Sequence, residues 1–151
     1  MNFVHGLVFT QLGDMKPGSL GLFQFDGKLV HGFLFVDDRE YVSVLLLEGP
    51  LAGQMAYPKS EIVYVYEAEV SLHASVDPKD LSFDCPQSTL PLCVLKGGTA
   101  FFIVDVNGMQ FGINVEGGLL TRPNTNRALY VSKWWLKIEA EDTPRLFNPA
   151  R

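Results

Sequence analysis

Four basic residues crowd the two tryptophans of this chain: Arg122, Arg127, Lys133 and Lys137 flank Trp134 and Trp135. Cationic side chains beside a flat aromatic ring bind by charge and stacking, on a nucleobase, a sugar ring or a peptide. On a strand, Trp134, Leu136 and Ile138 fall on one face, and Lys133, Trp135, Lys137 and Glu139 on the other. The first set reads as core. The second leaves Trp135 between two lysines, so Arg122, Arg127, Lys133, Trp135 and Lys137 form the candidate ligand-binding set. The competing reading packs Trp135 against the other half of the chain, with the lysine stems snorkelling at its rim.

Other residues with chemical potential are scattered. Glu67 and Glu69 share a strand face and suit acid–base work, but the pair recurs at Glu139 and Glu141, which favours a solvated or structural role. Asp37, Asp38 and Glu40 lack the alternating acidic positions and central glycine of a calcium loop, and read as a hairpin tip. Cys85 and Cys93, with His5, His31 and His73, match no metal spacing. No Gly-x-Ser-x-Gly elbow is present, and Gly97-Gly98 and Gly117-Gly118 are doublets without a phosphate-loop pattern. No catalytic residue, metal or cofactor is expected, and His31 is the histidine an enzyme reading would need.

Composition narrows the class. A chain of 151 residues, 47% apolar, suits one ordinary domain or two small ones with a filled core. A net charge of −5 argues against general nucleic-acid binding. The charge is uneven: residues 1–75 hold four Lys/Arg against nine Asp/Glu, and residues 76–151 hold eight of each. An anionic ligand would therefore prefer the second part. The first twelve residues lack a basic start and a small-residue cleavage pattern, and no apolar run is long enough to cross a bilayer. These features, with cysteines read as reduced, lead to the expectation of a cytoplasmic protein without membrane contact.

The elements that must position these residues come in two similar sets. Residues 16–36 run Lys16-Pro17-Gly18-Ser19, an apolar stretch, the break Asp26-Gly27 and a second apolar stretch. Eighty residues later, Lys96-Gly97-Gly98-Thr99 opens a comparable segment with its break at Asn107-Gly108. Both breaks are hairpin signals. Gly32 matches Gly112, and Leu12 matches Leu92, so each set is expected to begin with a short strand. A shorter offset of 72 residues relates Ala56, Ser60, Glu67, Ala68 and Glu69 to Ala128, Ser132, Glu139, Ala140 and Glu141. The eight-residue difference falls in the loop-rich stretch between.

In the returning strand, Lys28 to Val36, His31, Phe33 and Phe35 share one face, and Val30, Gly32, Leu34 and Val36 the other. Both are apolar, so the two sets should pack together. The expected fold is all-β: two tandem, related, small SH3-like β-barrels packed against each other, or alternatively one pseudo-symmetric β-sandwich. The expected boundaries are 1–75 for the first repeat, 76–91 for a linker, and 92–151 for the second repeat with its tail. A strand is expected over residues 61–70, a linker region of little periodicity from Ser71 to Pro91 with at most a single helical turn at Asp80, one strand over 130–140, and an extended or frayed tail from Thr143.

The functional expectation is a non-catalytic binding or scaffold protein acting through surface recognition of a protein partner, or by self-association. The alternatives are single-stranded nucleic-acid binding through the basic-aromatic face, and an enzyme with a small pocket between the halves. A protein-binding module would present an apolar patch or a free strand edge.

Overall fold

Asp26 and Gly27 both adopt left-handed backbone conformations, with φ of 48° and 74°. That is what a two-residue type I′ turn demands, because its twist matches the strands it joins. It links strand β2 (Leu20–Phe25) to β3 (Lys28–Val36) in a long hairpin. The second hairpin joins β10 (Thr99–Val106) to β11 (Met109–Asn114), with Val106 paired to Met109. Its turn lies 81 residues on, one more than the offset of the preceding glycines. Consequently Gly32 faces Gly21, whereas Gly112 faces Ile103.

The computed structural model describes residues 7–37, 39–57, 62–66, 70–85, 92–106, 108–122, 127–138 and 145–147. The remaining strands are β1 (Leu7–Gln11), β4 (Val42–Leu46), β5 (Met55–Ala56), β6 (Ile62–Tyr66), β7 (Val70–Ala74), β8 (Leu81–Ser82), β9 (Leu92–Lys96), β12 (Leu120–Thr121), β13 (Leu129–Val131), β14 (Trp134–Ile138) and β15 (Arg145–Phe147). Two 3-10 turns, Leu12–Asp14 and Pro78–Asp80, complete the described elements.

The chain is all-β, as its composition leads one to expect. Its strands form three sheets, in the orders β1-β6-β2-β3-β4-β5, β12-β11-β10-β9-β13-β8 and β15-β14-β7. Among the described residues none of the three closes into a barrel.

The main core lies where all three sheets meet. Leu20, Phe33, Phe35, Leu45 and Leu47 come from the first, Cys93, Phe102, Val104, Ile113 and Val131 from the second, and Trp134 and Leu136 from the third. Phe102 is the hub. Its ring meets Phe33 edge-on at 5.3 Å and Trp134 at 5.0 Å, aromatic geometries worth about 1 kcal/mol each beyond buried area. The other side of the first sheet buries Phe23, Leu34, Val44 and Leu46 under Met15. Thus β3 is covered on both faces, as its two apolar faces require.

At one backbone crossing the stretches around Gly18, Leu34 to Val36 and Gly118 meet. The Gly18 N–H donates to the Leu34 carbonyl, and the Val36 N–H donates to the Gly118 carbonyl, each at 2.8 Å. Val36 also forms an isolated parallel bridge with Leu119. Gly118 is buried with φ of 62°. A side chain there would overlap the Gly18 amide and come within 2.8 Å of the Pro17 carbonyl carbon. The Gly117-Gly118 doublet is therefore a place of close chain approach.

The short strand expected before each turn is present, as β1 and β9, with Leu12 at the start of the 3-10 turn that follows β1. Three expectations need correction. The strand expected over 61–70 ends at Tyr66 in the first sheet, and Val70 opens β7 in the third. Ser71 to Ala74, expected in the linker region, belong to β7. The strand expected over 130–140 is two strands, β13 and β14, in different sheets. The corner between them is held by the Ser132 N–H and hydroxyl, both donating to the Asp80 carbonyl. Within the expected linker, β8 pairs with β13. The tail contributes β15, paired with β14.

Candidate functional site

The third sheet carries the basic-aromatic set. Alternation along β14 turns Trp134 and Leu136 into the core, 2% and 3% exposed. It leaves Trp135 and Lys137 half-buried on the opposite face, next to the exposed Lys133. Antiparallel pairing sets Trp135 beside His73 and Lys137 beside Ser71. The indole and imidazole rings stack nearly parallel, 7° apart in plane with centroids at 6.0 Å. His73 Nε2 lies 3.1 Å from the Ser71 hydroxyl. Trp135 thus forms part of a flat aromatic face shared between β14 and β7. One side of it is covered by the His73 ring.

The two arginines belong elsewhere. Arg122 follows β12 and Arg127 precedes β13, both exposed, and both attach to the second sheet. Arg127 itself sits at a left-handed φ of 60°. The structure therefore brings Lys133, Trp135 and Lys137 onto one sheet and leaves Arg122 and Arg127 on the flanks of the loop before β13.

His73 is the member of this face that the sequence reading missed. Its signal was present: Val70, Leu72 and Ala74 alternate with Ser71 and His73, a period-two pattern. Val70, Leu72 and Ala74 pack against the main core.

The edge of β7 has a definite polarity. The Ser75 N–H donates to the Lys133 carbonyl at 2.9 Å. In an antiparallel ladder, hydrogen-bonded pairs alternate with non-bonded ones. The His73–Trp135 and Ser71–Lys137 pairs therefore carry the β7–β14 ladder bonds. Val70, Leu72 and Ala74 point their N–H and C=O groups the other way. Among the described residues, β7 has a neighbouring strand on the β14 side only.

The remaining chemical candidates are engaged structurally. His31 N–H donates to Glu48 Oε1 at 2.8 Å, and His31 Nδ1 lies 2.9 Å from the same oxygen. That carboxylate closes the end of the β3–β4 ladder, where the Leu47 N–H donates to the His31 carbonyl. Asp37 Oδ1 accepts from the Arg39 and Tyr41 amides and shapes the turn before β4. Glu67, Glu69, Glu139 and Glu141 lie outside the described residues, as does Asp38. Among the described residues no three His, Cys, Asp or Glu side chains gather as a metal site, and no helix is long and apolar enough to cross a membrane. Cys85 and Cys93 are not joined by a disulfide. Cys85 is exposed, whereas burial pushes the Cys93 thiol up to about 12, so Cys93 is an inert part of the core.

No family model matches the chain, and neither a curated protein nor a solved structure does.

Proposed function

We propose that this chain is a non-catalytic binding protein that recognises a protein partner by strand addition along β7. The supporting observation is the row of outward backbone groups at Val70, Leu72 and Ala74. Strand addition draws affinity from main-chain hydrogen bonds and specificity from alternate side chains. Here the side chains beside an added strand would be Ser71 and His73, with Trp135 behind them. Natural edge strands are commonly blunted by lysine, proline, a bulge or extreme shortness. β7 is five residues long and contains neither lysine nor proline.

Two related β units packed into one body would suit a scaffold of this kind, with β7 passing from the first unit to pair with the second.

The test uses short extended peptides displayed as a library, with Ala74→Pro as the counter-screen. Proline removes one outward N–H and leaves the β14 ladder intact, the setting in which edge strands accept it. Selected peptides should lose about tenfold or more of their affinity for the variant. Peptides that bind both proteins alike would exclude β7 as the docking edge.

A second reading rests on the His73–Trp135 stack beside Lys133 and Lys137. It takes a single-stranded nucleic acid on this face. Titration with an oligothymidylate at low salt should then quench tryptophan emission, and added salt or Trp135→Phe should abolish the change. The chain's net charge of −5 works against this reading.

A further inference from the structure

We infer that the strand added along β7 is the β7 of a second copy, paired antiparallel about a twofold axis at Leu72. This deepens the strand-addition reading and rests on it. The argument is one of register. A twofold pairing centred on Leu72 sets Val70 against Ala74 of the second copy, Leu72 against Leu72, and Ala74 against Val70. All three residues with outward groups on each strand then exchange hydrogen bonds. Twofold registers centred on Ser71 or His73 use only two of the three. The His73-centred register also sets imidazole against imidazole.

The side chains agree with the Leu72-centred register. Val70, Leu72 and Ala74 lie on the core side of the sheet, so the two strands would meet there through apolar groups alone. On the outer side, Ser71 of each strand faces His73 of the other, a hydroxyl against an imidazole. The same two residue types already meet within one chain at 3.1 Å. β7 contains no Asp, Glu, Lys or Arg, so no like charges oppose one another across the axis. The product is a continuous sheet β15-β14-β7-β7-β14-β15, isologous as a twofold contact must be. β1 is also a five-residue edge strand. Among the described residues only β7 joins such an edge to the His73–Trp135 stack.

Sedimentation velocity over a concentration series is the first test. A five-residue strand contact is small, so association should be reversible and concentration-dependent. The full chain should pass from monomer to dimer, and Ala74→Pro should remain monomeric with an unchanged circular-dichroism spectrum. The register is tested by cysteine pairs in a Cys85→Ser background. Facing residues in non-bonded antiparallel pairs have Cα atoms about 4.5 Å apart, within disulfide range. Ser71→Cys with His73→Cys in one chain should cross-link into covalent dimers under mild oxidation, and either substitution alone should not. Cross-linking by Ser71→Cys alone or His73→Cys alone overturns the Leu72 register. A chain monomeric at every concentration overturns the second copy as occupant. Amide exchange then separates the two claims. Fast exchange at Val70, Leu72 and Ala74 in that monomer leaves the edge open to another protein. Slow exchange there refutes strand addition altogether.

Discussion

Gly18 and Gly98 each stand two residues after a lysine, eighty positions apart, and both are left-handed, with φ of 90° and 79°. Their surroundings differ. Gly97 and Gly98 turn the chain between Lys96 and Thr99, so β9 and β10 form a tight hairpin. A side chain at Gly98 would meet nothing within 4 Å. Gly18 follows Pro17 and makes no such hairpin. Its N–H goes to Leu34, and a side chain there would meet the Glu116–Gly118 backbone. One glycine serves a local turn, the other a contact between distant segments. The lesson is that similar sequence at two places need not mean similar work, because the partner of each backbone group is set by the whole fold.

Gly118 is the sharpest way to break that contact. Gly118→Ala places a methyl group into the Gly18 amide, within 2.9 Å of the Leu34 carbonyl oxygen, at a φ that already favours glycine. The obstacle is backbone on every side, so no side chain can move away to relieve it. Destabilisation of about 4 kcal/mol or more is expected by urea denaturation. Gly117→Ala, with nothing within 4 Å, is the control and should unfold near the parent midpoint.

The direct comparison is Gly18→Ala against Gly98→Ala. Both place alanine in the left-handed region, at about 1 kcal/mol each. Only Gly18→Ala adds a contact, 3.1 Å from the Glu116 carbonyl oxygen. Its loss should exceed that of Gly98→Ala by about 1–2 kcal/mol. Equal losses would mean that the crossing tightens nothing and that the two turns are equivalent after all.

Much of this architecture was legible in the residues. The Asp26-Gly27 hairpin, the two apolar faces of β3, and the inward Trp134 against the outward Trp135 all follow from turn chemistry and period-two alternation. What escaped depends on contacts far apart in sequence. β7 was hidden because Ser71 and His73 read as polar loop, although Val70, Leu72 and Ala74 kept the period. The break between β13 and β14 hangs on Ser132 reaching Asp80, which no local pattern reports. The candidate site divides in the same way. Lys133, Trp135 and Lys137 came together because one strand carries them. Arg122 and Arg127 did not join them, because sequence proximity across a loop says nothing about which sheet receives each end. His73 joined from β7, through a strand pairing invisible to spacing.

The shared core offers a further contrast, in how each segment fills it. The second sheet contributes Cys93, fully buried, with its thiol pushed up to about 12 by desolvation. In the folded chain it should resist thiol reagents near neutral pH, while the exposed Cys85 reacts. One thiol should titrate in the native protein and two in denaturant. The sign of the pH effect follows. Between the ordinary 9.0 and about 12, the unfolded chain releases this proton while the folded chain keeps it. The Cys93 contribution is thus intact below pH 9.0 and is lost as pH rises through that window. Cys93→Ala should remove that part of the alkaline loss.

The first sheet contributes Ser43, and there the expected change is smallest. Ser43 is fully buried on β4, opposite Phe35, and its hydroxyl has no hydrogen-bond partner among the described residues. A buried hydroxyl without a partner has surrendered its hydration for nothing, a penalty of about 1–3 kcal/mol. Removing it leaves a cavity no larger than one atom and frees no other polar group. Ser43→Ala should therefore be neutral or stabilising by up to about 1 kcal/mol, read as a denaturation midpoint at or above that of the parent with an unchanged slope. Cys93→Ser makes the complementary change, adding an unpartnered hydroxyl to the same core, and should move the midpoint down. If Ser43→Ala instead destabilises by more than about 1 kcal/mol, the hydroxyl is bonded in solution, and the two halves treat polar atoms in their common core alike.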